Sequence, residues 1–551
     1  MATAAEQFLR EGGEAIAAAD WERARACFEE ARELDGAPEA LDGLSEVANF
    51  EGEYERAIEL KEAAFAAYRE RHQGVEASHV ARWLAFMHAT YHGNYAVASG
   101  WMARAESLLE GVEECAAHGW LILDRAPFSR SPEERQQVAA SALAIARRFG
   151  DADLEFEAMA LLGESHVALG RIDEGMKLLD EAMAALTAGE IADHKAIGEI
   201  YCRLLSACEQ ATDVRRAEDW VSAIDRHIVW TDFVRPTCRT HYGGILMALG
   251  RWQEAEAELL AAIKTFERGY RGDAAFPLVR LAELRVRQGR FEEGERLLEN
   301  REWHPLARRA AAAIALGRRD LPLAEELTRL CFEGAADDDP ACGPALELLV
   351  AVQLARGDEQ GARSTLDQLA ALAASCGTPS LEASAELAAG QVAVARGDDE
   401  AIGHLKRAVE LFAGIELPFE TARARLELAR ALAPSAPDAA AYEARLALDA
   451  FERLGAAYDC DAAAELLRTL GASGRSWPKG RGPLTKRETE VLALLVEGLT
   501  NAEVGERLFI SVRTAEHHVA SILAKLDLRS RAQAAAYGVR QGAAARGPVG
   551  K

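Results

Sequence analysis

No uncharged apolar stretch in the 551-residue chain approaches the roughly 18 residues that span a bilayer. The start, MATAAEQFLREGGEA, lacks the basic-then-apolar layout of a signal peptide. Membrane and secreted readings are therefore set aside, and a cytoplasmic protein is expected. The nine cysteines are odd in number and widely spaced, with no CxxC, which fits reduced thiols better than a disulfide framework. Aromatics are only 7% and alanine is abundant, which favours helix over sheet. No Gly-x-x-x-x-Gly-Lys-[Ser/Thr] loop occurs, and Lys264-Thr265 lacks the glycines that would cradle a phosphate. Neither ATP hydrolysis nor any catalytic residue, metal or cofactor is expected.

What is present is unevenly distributed. The chain has a net charge of -26. Its last part, residues 471–551, nevertheless carries more Lys and Arg than Asp and Glu, so residues 1–470 are the acidic part. A small basic tail on a large acidic body implies that the tail alone meets a polyanion.

The body reads as helix after helix, with no convincing strand. A glycine is followed five residues later by a small residue at Gly52/Ala57, Gly93/Ala98, Gly170/Gly175, Gly250/Ala255, Gly289/Gly294 and Gly357/Ala362. Successive glycines lie about one or two units of roughly 34–40 residues apart, the period of helical hairpins. The glycine can take the left-handed conformation that ends one helix, and the small residue marks a close crossing on the next. In LLGESHVALGRIDEGMKLLDEAM, Leu162 and Gly163 lead to Gly170, Gly175, Leu179 and Ala182. In YGGILMALGRWQEAEAELLAAI, Gly243 leads to Gly250, Trp252, Ala255, Leu259 and Ala262. Both resemble the tetratricopeptide pattern. The resemblance implies an α-solenoid whose groove holds a peptide or protein.

Near residue 470 the repeats fade. Residues 471–483 are rich in Gly, Pro and Ser and carry only positive charge, which reads as a linker. Residues 484–542 then parse into four short helices. Thr485 and Glu488 form one capping box, and Thr500 and Glu503 form another. Gly498 ends the first helix. Val504 and Leu508 face inward from the second, Phe509 and Ile510 make the turn, and Ser511 caps the third. At 100° per residue, Ala515, Val519, Ile522 and Leu526 share one face of the third helix. Arg513, His517, Ala520 and Ala524 fall on the other side, and His518 is expected at the core edge. A short helix, a tight turn and a longer helix with a small-polar outer face is what a major groove accepts. Residues 543–551 read as a flexible tail.

The segment LTKRETEVLALLVEGLTNAEVGERLFISVRTAEHHVASILAKLDLRSRAQA closely resembles the LuxR-type helix-turn-helix domain. The match runs from T-x-R-E-x-E-V-L through G-L-T-N-x-E-V and S-x-R-T-x-x-x-H-V to K-L-x-L-R-S-R-x-Q-A. The resemblance implies base contacts from Glu516, His517 and Ala520. The family often has Lys where this chain has Glu516, and a carboxylate accepts from cytosine N4 but repels phosphate. Thr500, Asn501, Arg513, Thr514 and Lys525 are the expected phosphate contacts. The family pattern also implies that Glu488 and Arg531 pair inside the domain. It further implies that the last helix, with Ala532, Ala535, Ala536 and Val539, is a dimer surface.

The body carries neither the alternating strands of a receiver domain nor the mixed sheet of an acyl-homoserine-lactone domain. Within about residues 80–270 it resembles a helical-repeat region found with LuxR-type domains, which implies sensing or assembly. Two clusters there draw notice. Cys202, Cys208, Cys238 and His241 fit either a metal or redox site or buried thiols. The spacing of Cys202 and Cys208, about 240° apart on a helix, favours thiols. Trp83, Phe86, His88, Tyr91, His92, Tyr95 and Trp101 fit either a ligand-lined groove or aromatic core filling.

The sequence therefore reads as an all-α chain, a tetratricopeptide-like α-solenoid followed by a small four-helix LuxR-type helix-turn-helix domain. The function expected is that of a transcriptional regulator. Its partners would be double-stranded DNA, a second copy as homodimer, and an unknown protein, peptide or small molecule in the repeat groove. The rival reading is a scaffold whose last helices do not read DNA.

Overall fold

The computed structural model describes residues 4–129, 131–224, 236–268, 275–332, 339–472, 486–496, 498–508, 512–525, 531, 533 and 534. The chain divides into two compact units, Met1–Leu470 and Gly471–Lys551. All regular elements among the described residues are helices.

Local chemistry sets the helix ends of the first unit. Asp20 accepts from the Arg23 amide at 3.2 Å to open helix Trp21–Asp35, and left-handed Gly36 closes it. Asp151 accepts from the Leu154 amide at 3.0 Å to open Ala152–Ala168, and its other carboxylate oxygen takes the Trp120 indole N–H at 3.0 Å. One residue thus caps a helix and ties it to the preceding hairpin.

The six repeat glycines all adopt positive φ, between 63° at Gly93 and 78° at Gly52. Their small partners sit at tight crossings, and Ala57, Ala255 and Ala362 are fully buried. At Gly175 a Cβ would lie 2.5 Å from the Gly163 carbonyl oxygen, so these two backbones touch directly. Two of the hairpins that the glycine spacing skips are closed by other left-handed residues. Thr212, with φ 56°, falls midway between Gly170 and Gly250, and Arg319, with φ 64°, falls between Gly289 and Gly357.

The hairpins stack in chain order. From Ala152 to Arg396, the first helix of each hairpin also packs on the first helix of the next, which makes an inner layer. The stack then winds back on itself. Trp21 stacks on Phe50 with ring centroids 4.6 Å apart, and both rings pack against His194, four hairpins beyond that of Phe50. Phe419 packs on Trp252 at 5.5 Å, Tyr458 packs on Phe291 at 5.4 Å, and Arg215 pairs with Glu416 at 3.1 Å. A Cβ at Gly250 would collide with Leu454 and Pro418, and one at Gly289 would meet the Tyr458 backbone. Turn edges of the middle hairpins therefore abut the helix ends of the last ones. Within the repeat unit the solenoid's later hairpins thus pack back on its middle ones.

The second unit has its own core. Val491, Leu492, Leu494, Leu495, Val504, Ala515, Val519, Ile522 and Ala534 are buried together, drawn from three helices and a residue beyond them. The helices are Lys486–Val496, Asn501–Leu508 and Val512–Lys525.

Candidate nucleic-acid interface

The helix-turn-helix is held by three polar devices. Thr500 and Glu503 form the reciprocal capping box that their spacing predicts. The Thr500 amide donates to Glu503 Oε2 at 2.6 Å, and the Glu503 amide donates to Thr500 Oγ1 at 3.3 Å. Backbone and side-chain hydrogen bonds from Thr500 hold the Glu503 carboxyl below its ordinary range. Secondly, Ser521 on the third helix donates to Glu488 on the first at 2.7 Å. Glu488 is only 3% exposed, so this bond lies inside the unit and fixes the roll of the third helix. Thirdly, Arg531 donates to the Asn501 side-chain oxygen at 2.7 Å, tying the chain after the third helix to the start of the second.

These bonds add detail to the sequence reading. Thr485, Phe509, Ile510 and Ser511 lie outside the described residues, so the first capping box and the cap of the third helix are not part of the description. Glu488 is a buried acceptor for the third helix, and Arg531 is engaged with Asn501. The side-chain oxygen of Asn501 is therefore committed to Arg531. Gly498 closes the first helix with φ 85°, Gly505 is buried, and His518 is half-buried.

The third helix places its apolar stripe as expected. Ala515 and Ile522 are fully buried and Val519 is 8% exposed. Positions 513, 517, 520 and 524 lie across the helix axis from that stripe. The backbones of Arg513, Thr514, Glu516, His517, Ala520 and Lys525 belong to this helix, but their side chains lie outside the described residues. Thr500 and Asn501 stand at the start of the second helix, with Thr500 exposed. Ala532, Ala535, Ala536 and Val539, the expected dimer surface, also lie outside the described residues. The bond from Ser521 to Glu488 is not legible in the sequence, because a hydrogen bond between helices leaves no periodic sign.

The first unit holds the two clusters picked out by sequence. Cys202, Cys208 and Cys238 are buried, and burial pushes the Cys208 thiol far above the usual range. Cys238 Sγ points at the Gly198 carbonyl at 3.8 Å. His241 is taken by Glu209, with Nδ1 to Oε2 at 2.7 Å. Among the described residues, no three His, Cys, Asp or Glu are grouped to hold an ion. The aromatic cluster is core filling in large part. Tyr91 packs on Tyr54 at 4.8 Å and Trp101 on Phe65 at 5.0 Å, while Tyr95 is exposed.

A feature the sequence reading missed runs along the inner helices. Arg82 pairs with Asp124, and Lys195 faces Glu157 at 3.7 Å. Arg203 pairs with Glu164 at 2.9 Å, and Arg280 meets Glu209 at 2.5 Å and Glu283 at 2.7 Å. Arg309 also pairs with Glu283. Burial alone would raise the Glu283 carboxyl, but Arg309 and Arg280 override it and hold it at about 2. Burial wins at Glu157, which is pushed up to about 7 against the pull of Lys195. The clue in the sequence was the recurrence of charge at inner-helix positions, which a hydrophobic period does not detect.

No described helix is long and apolar enough to cross a membrane. Residues 482–537 match the model of the bacterial regulatory proteins, luxR family. The transcriptional regulatory protein LiaR of Bacillus subtilis (strain 168) is 54% identical over 57 residues, which are 10% of this chain and 27% of LiaR. LnrK of the same strain is 52% identical over 59 residues, 11% of this chain and 27% of LnrK. The oxygen regulatory protein NreC of Staphylococcus haemolyticus (strain JCSC1435) is 41% identical over 58 residues, 10% of this chain and 27% of NreC. The chain thus spans about a quarter of the length of these curated relatives. Among solved structures, the APC/C hetero-tetramer Cut9-Hcn1 aligns at 12% identity and a TM-score of 0.34, over 85% of this chain and 96% of that one. Yeast Tom70 aligns at 14% identity and a TM-score of 0.28, over 79% of this chain and 97% of that one. At those scores the likeness adds nothing to the hairpin geometry described above. Sequence motif, capped helix pair and family match converge on one statement: residues 482–537 are a helix-turn-helix domain of the luxR family.

Proposed function

We propose that the chain is a transcriptional regulator that binds duplex DNA through its second unit and takes its signal through the first. The observation that carries this reading is the pinned third helix. Its apolar stripe is buried and Ser521 is bonded to Glu488, so the positions across the axis are offered at a fixed angle. On that helix Glu516, His517 and Ala520 meet base edges. Thr500, Asn501, Arg513, Thr514 and Lys525 meet phosphates. LiaR, LnrK and NreC, named as regulatory proteins, support the assignment over this segment. Two copies joined through the helix carrying Ala532, Ala535, Ala536 and Val539 would read paired half-sites. The repeat unit receives a protein, peptide or small molecule, and no catalytic role is assigned to it.

Selection of bound genomic fragments gives the operator. Titration of that operator across salt concentrations is the test. Replacing Arg513 and Lys525 by Ala together weakens binding and flattens the slope of log K against log salt by about 2 units. Affinity indifferent to both salt and these residues returns the chain to the scaffold reading.

A further inference from the structure

Two cysteines share one core in the later part of the repeat unit. Leu346, Val350, Leu369, Leu372 and Cys376 are buried together, and Cys342 packs against this cluster. The two thiols stand on facing stripes of one hairpin. Helix Gly343–Arg356 turns Leu346 and Val350 inward. Cys342 precedes Leu346 by four residues and has helical dihedrals, φ -73° and ψ -23°, so the stripe extends to it. Helix Glu359–Cys376 turns Thr365, Leu369, Leu372 and Cys376 inward at helical spacing. The helices pack on each other through the tight turn at Gly357, with φ 77°. The start of one and the end of the other therefore lie together at the open end of the hairpin. The turn Pro340–Cys342 packs against helix Glu359–Cys376 as well. A disulfide needs Cα atoms within about 7 Å. With helix axes about 8–10 Å apart and Cα atoms about 2.3 Å off each axis, facing positions come within that reach.

This end of the hairpin is open to small reagents. Cys342 is half-buried, and Cys376, at 6% exposed, lines a cavity of about 590 Å³ where turn edges of the middle hairpins meet the later ones. The other cysteines are placed differently. Cys202, Cys208 and Cys238 share a core, but all are buried, and burial holds the Cys208 thiol protonated. Burial also raises the Cys27 thiol. Cys331 donates to the Leu327 carbonyl at 3.4 Å, and burial pushes its thiol up to about 11. Cys115 and Cys460 pack against two further clusters that contain no second cysteine.

We propose that Cys342 and Cys376 are a reversible redox pair that a hydroperoxide converts to a disulfide. Cys342, the more exposed, reacts first. Its sulfur attacks one peroxide oxygen, the S–O bond forms, the O–O bond breaks, and the leaving oxygen takes the thiol proton. The Cys376 sulfur then attacks the Cys342 sulfur. The S–S bond forms, the S–O bond breaks, and hydroxide departs as water with the Cys376 proton. Two thiols lose two electrons and two protons, and hydrogen peroxide becomes two waters. The new bond ties the turn before helix Gly343–Arg356 to the end of helix Glu359–Cys376. The pair belongs to the repeat unit alone, so its failure leaves the operator titration above unaffected, and the reverse also holds.

The test treats the full chain with hydrogen peroxide at rising molar ratio, removes the excess with catalase, unfolds the chain and counts thiols. The expected count falls from nine to seven and returns to nine with dithiothreitol. Digestion at aspartate, which parts Cys342 from Cys331, yields one linked peptide pair that has lost the mass of two hydrogens. In Cys376→Ser the reaction stops at a Cys342 sulfenic acid, which dimedone traps in far higher yield than in the parent. Cys342→Ser forms no link and keeps all its thiols at the dose that converts the parent, and it carries the test should Cys376→Ser not fold. Nine thiols persisting in the treated parent overturn the proposal. So do links among other cysteines in equal yield, or equal thiol loss from Cys342→Ser and the parent.

Discussion

Single atoms decide several positions in this chain. A Cβ at Gly175 would sit 2.5 Å from a backbone oxygen, which no rotamer change relieves. Gly175→Ala should therefore cost about 2–3 kcal/mol in a urea titration. Gly100, inside helix Tyr95–Leu109, has nothing within 4 Å of the same added atom. Gly100→Ala should stabilise by about 0.5–1 kcal/mol, since only helix propensity changes. Two buried ionisable groups set a pH slope of one sign. Burial raises Glu157 to about 7, so the folded unit binds that proton more tightly than the unfolded chain. Its contribution falls as pH climbs from the ordinary carboxylate range to about 7. Burial would lower His241, but the Glu209 hydrogen bond and charge outweigh it and raise it. Its contribution is complete below the ordinary imidazole value and is lost as pH rises through the folded value. His79, His88 and His166, which burial lowers, act with the opposite sign. The Glu157 share is therefore read by substitution: Glu157→Gln should remove a stability decrease on the order of 2 kcal/mol between about pH 5.5 and about pH 8. An unchanged slope would contradict the assignment.

At the scale of helices, the capping box and the Ser521–Glu488 bond make separate predictions. Glu503→Ala removes one arm of the box and should lower the second unit's urea midpoint, whereas Glu503→Gln keeps the reciprocal bond. Ser521→Ala removes one donor from a buried carboxylate. It should weaken operator binding without altering the number of phosphate contacts, so affinity falls while the salt slope holds. Much of this level was legible beforehand. Thr500 and Glu503 announce a helix start by residue type and spacing, and Ala515, Val519 and Ile522 announce a buried stripe by period. The glycine rule worked wherever glycine was used. It was silent at Thr212 and Arg319, because these side chains pay a strain of about 1–2 kcal/mol to adopt the same conformation and carry no compositional mark.

At the scale of the whole molecule, the second unit has a core of its own, drawn from three helices and Ala534. A fragment spanning residues 471–551 should fold and bind operator DNA at least as well as the full chain. Much weaker binding by the fragment would make the repeat unit the source of dimerisation. The winding of the repeat unit was beyond any local pattern, since it depends on pairs such as Trp252 with Phe419 that are distant in sequence. An open row of hairpins melts from its ends and tolerates trimming, one repeat at a time. Here Trp252, Gly250 and Gly289 rely on neighbours that emerge from the ribosome much later, at Pro418, Leu454 and Tyr458. Removing the last hairpins should thus uncover the middle of the molecule and not just shorten it. Denaturation should accordingly appear as a single shared event, in place of the graded fraying of an unclosed array.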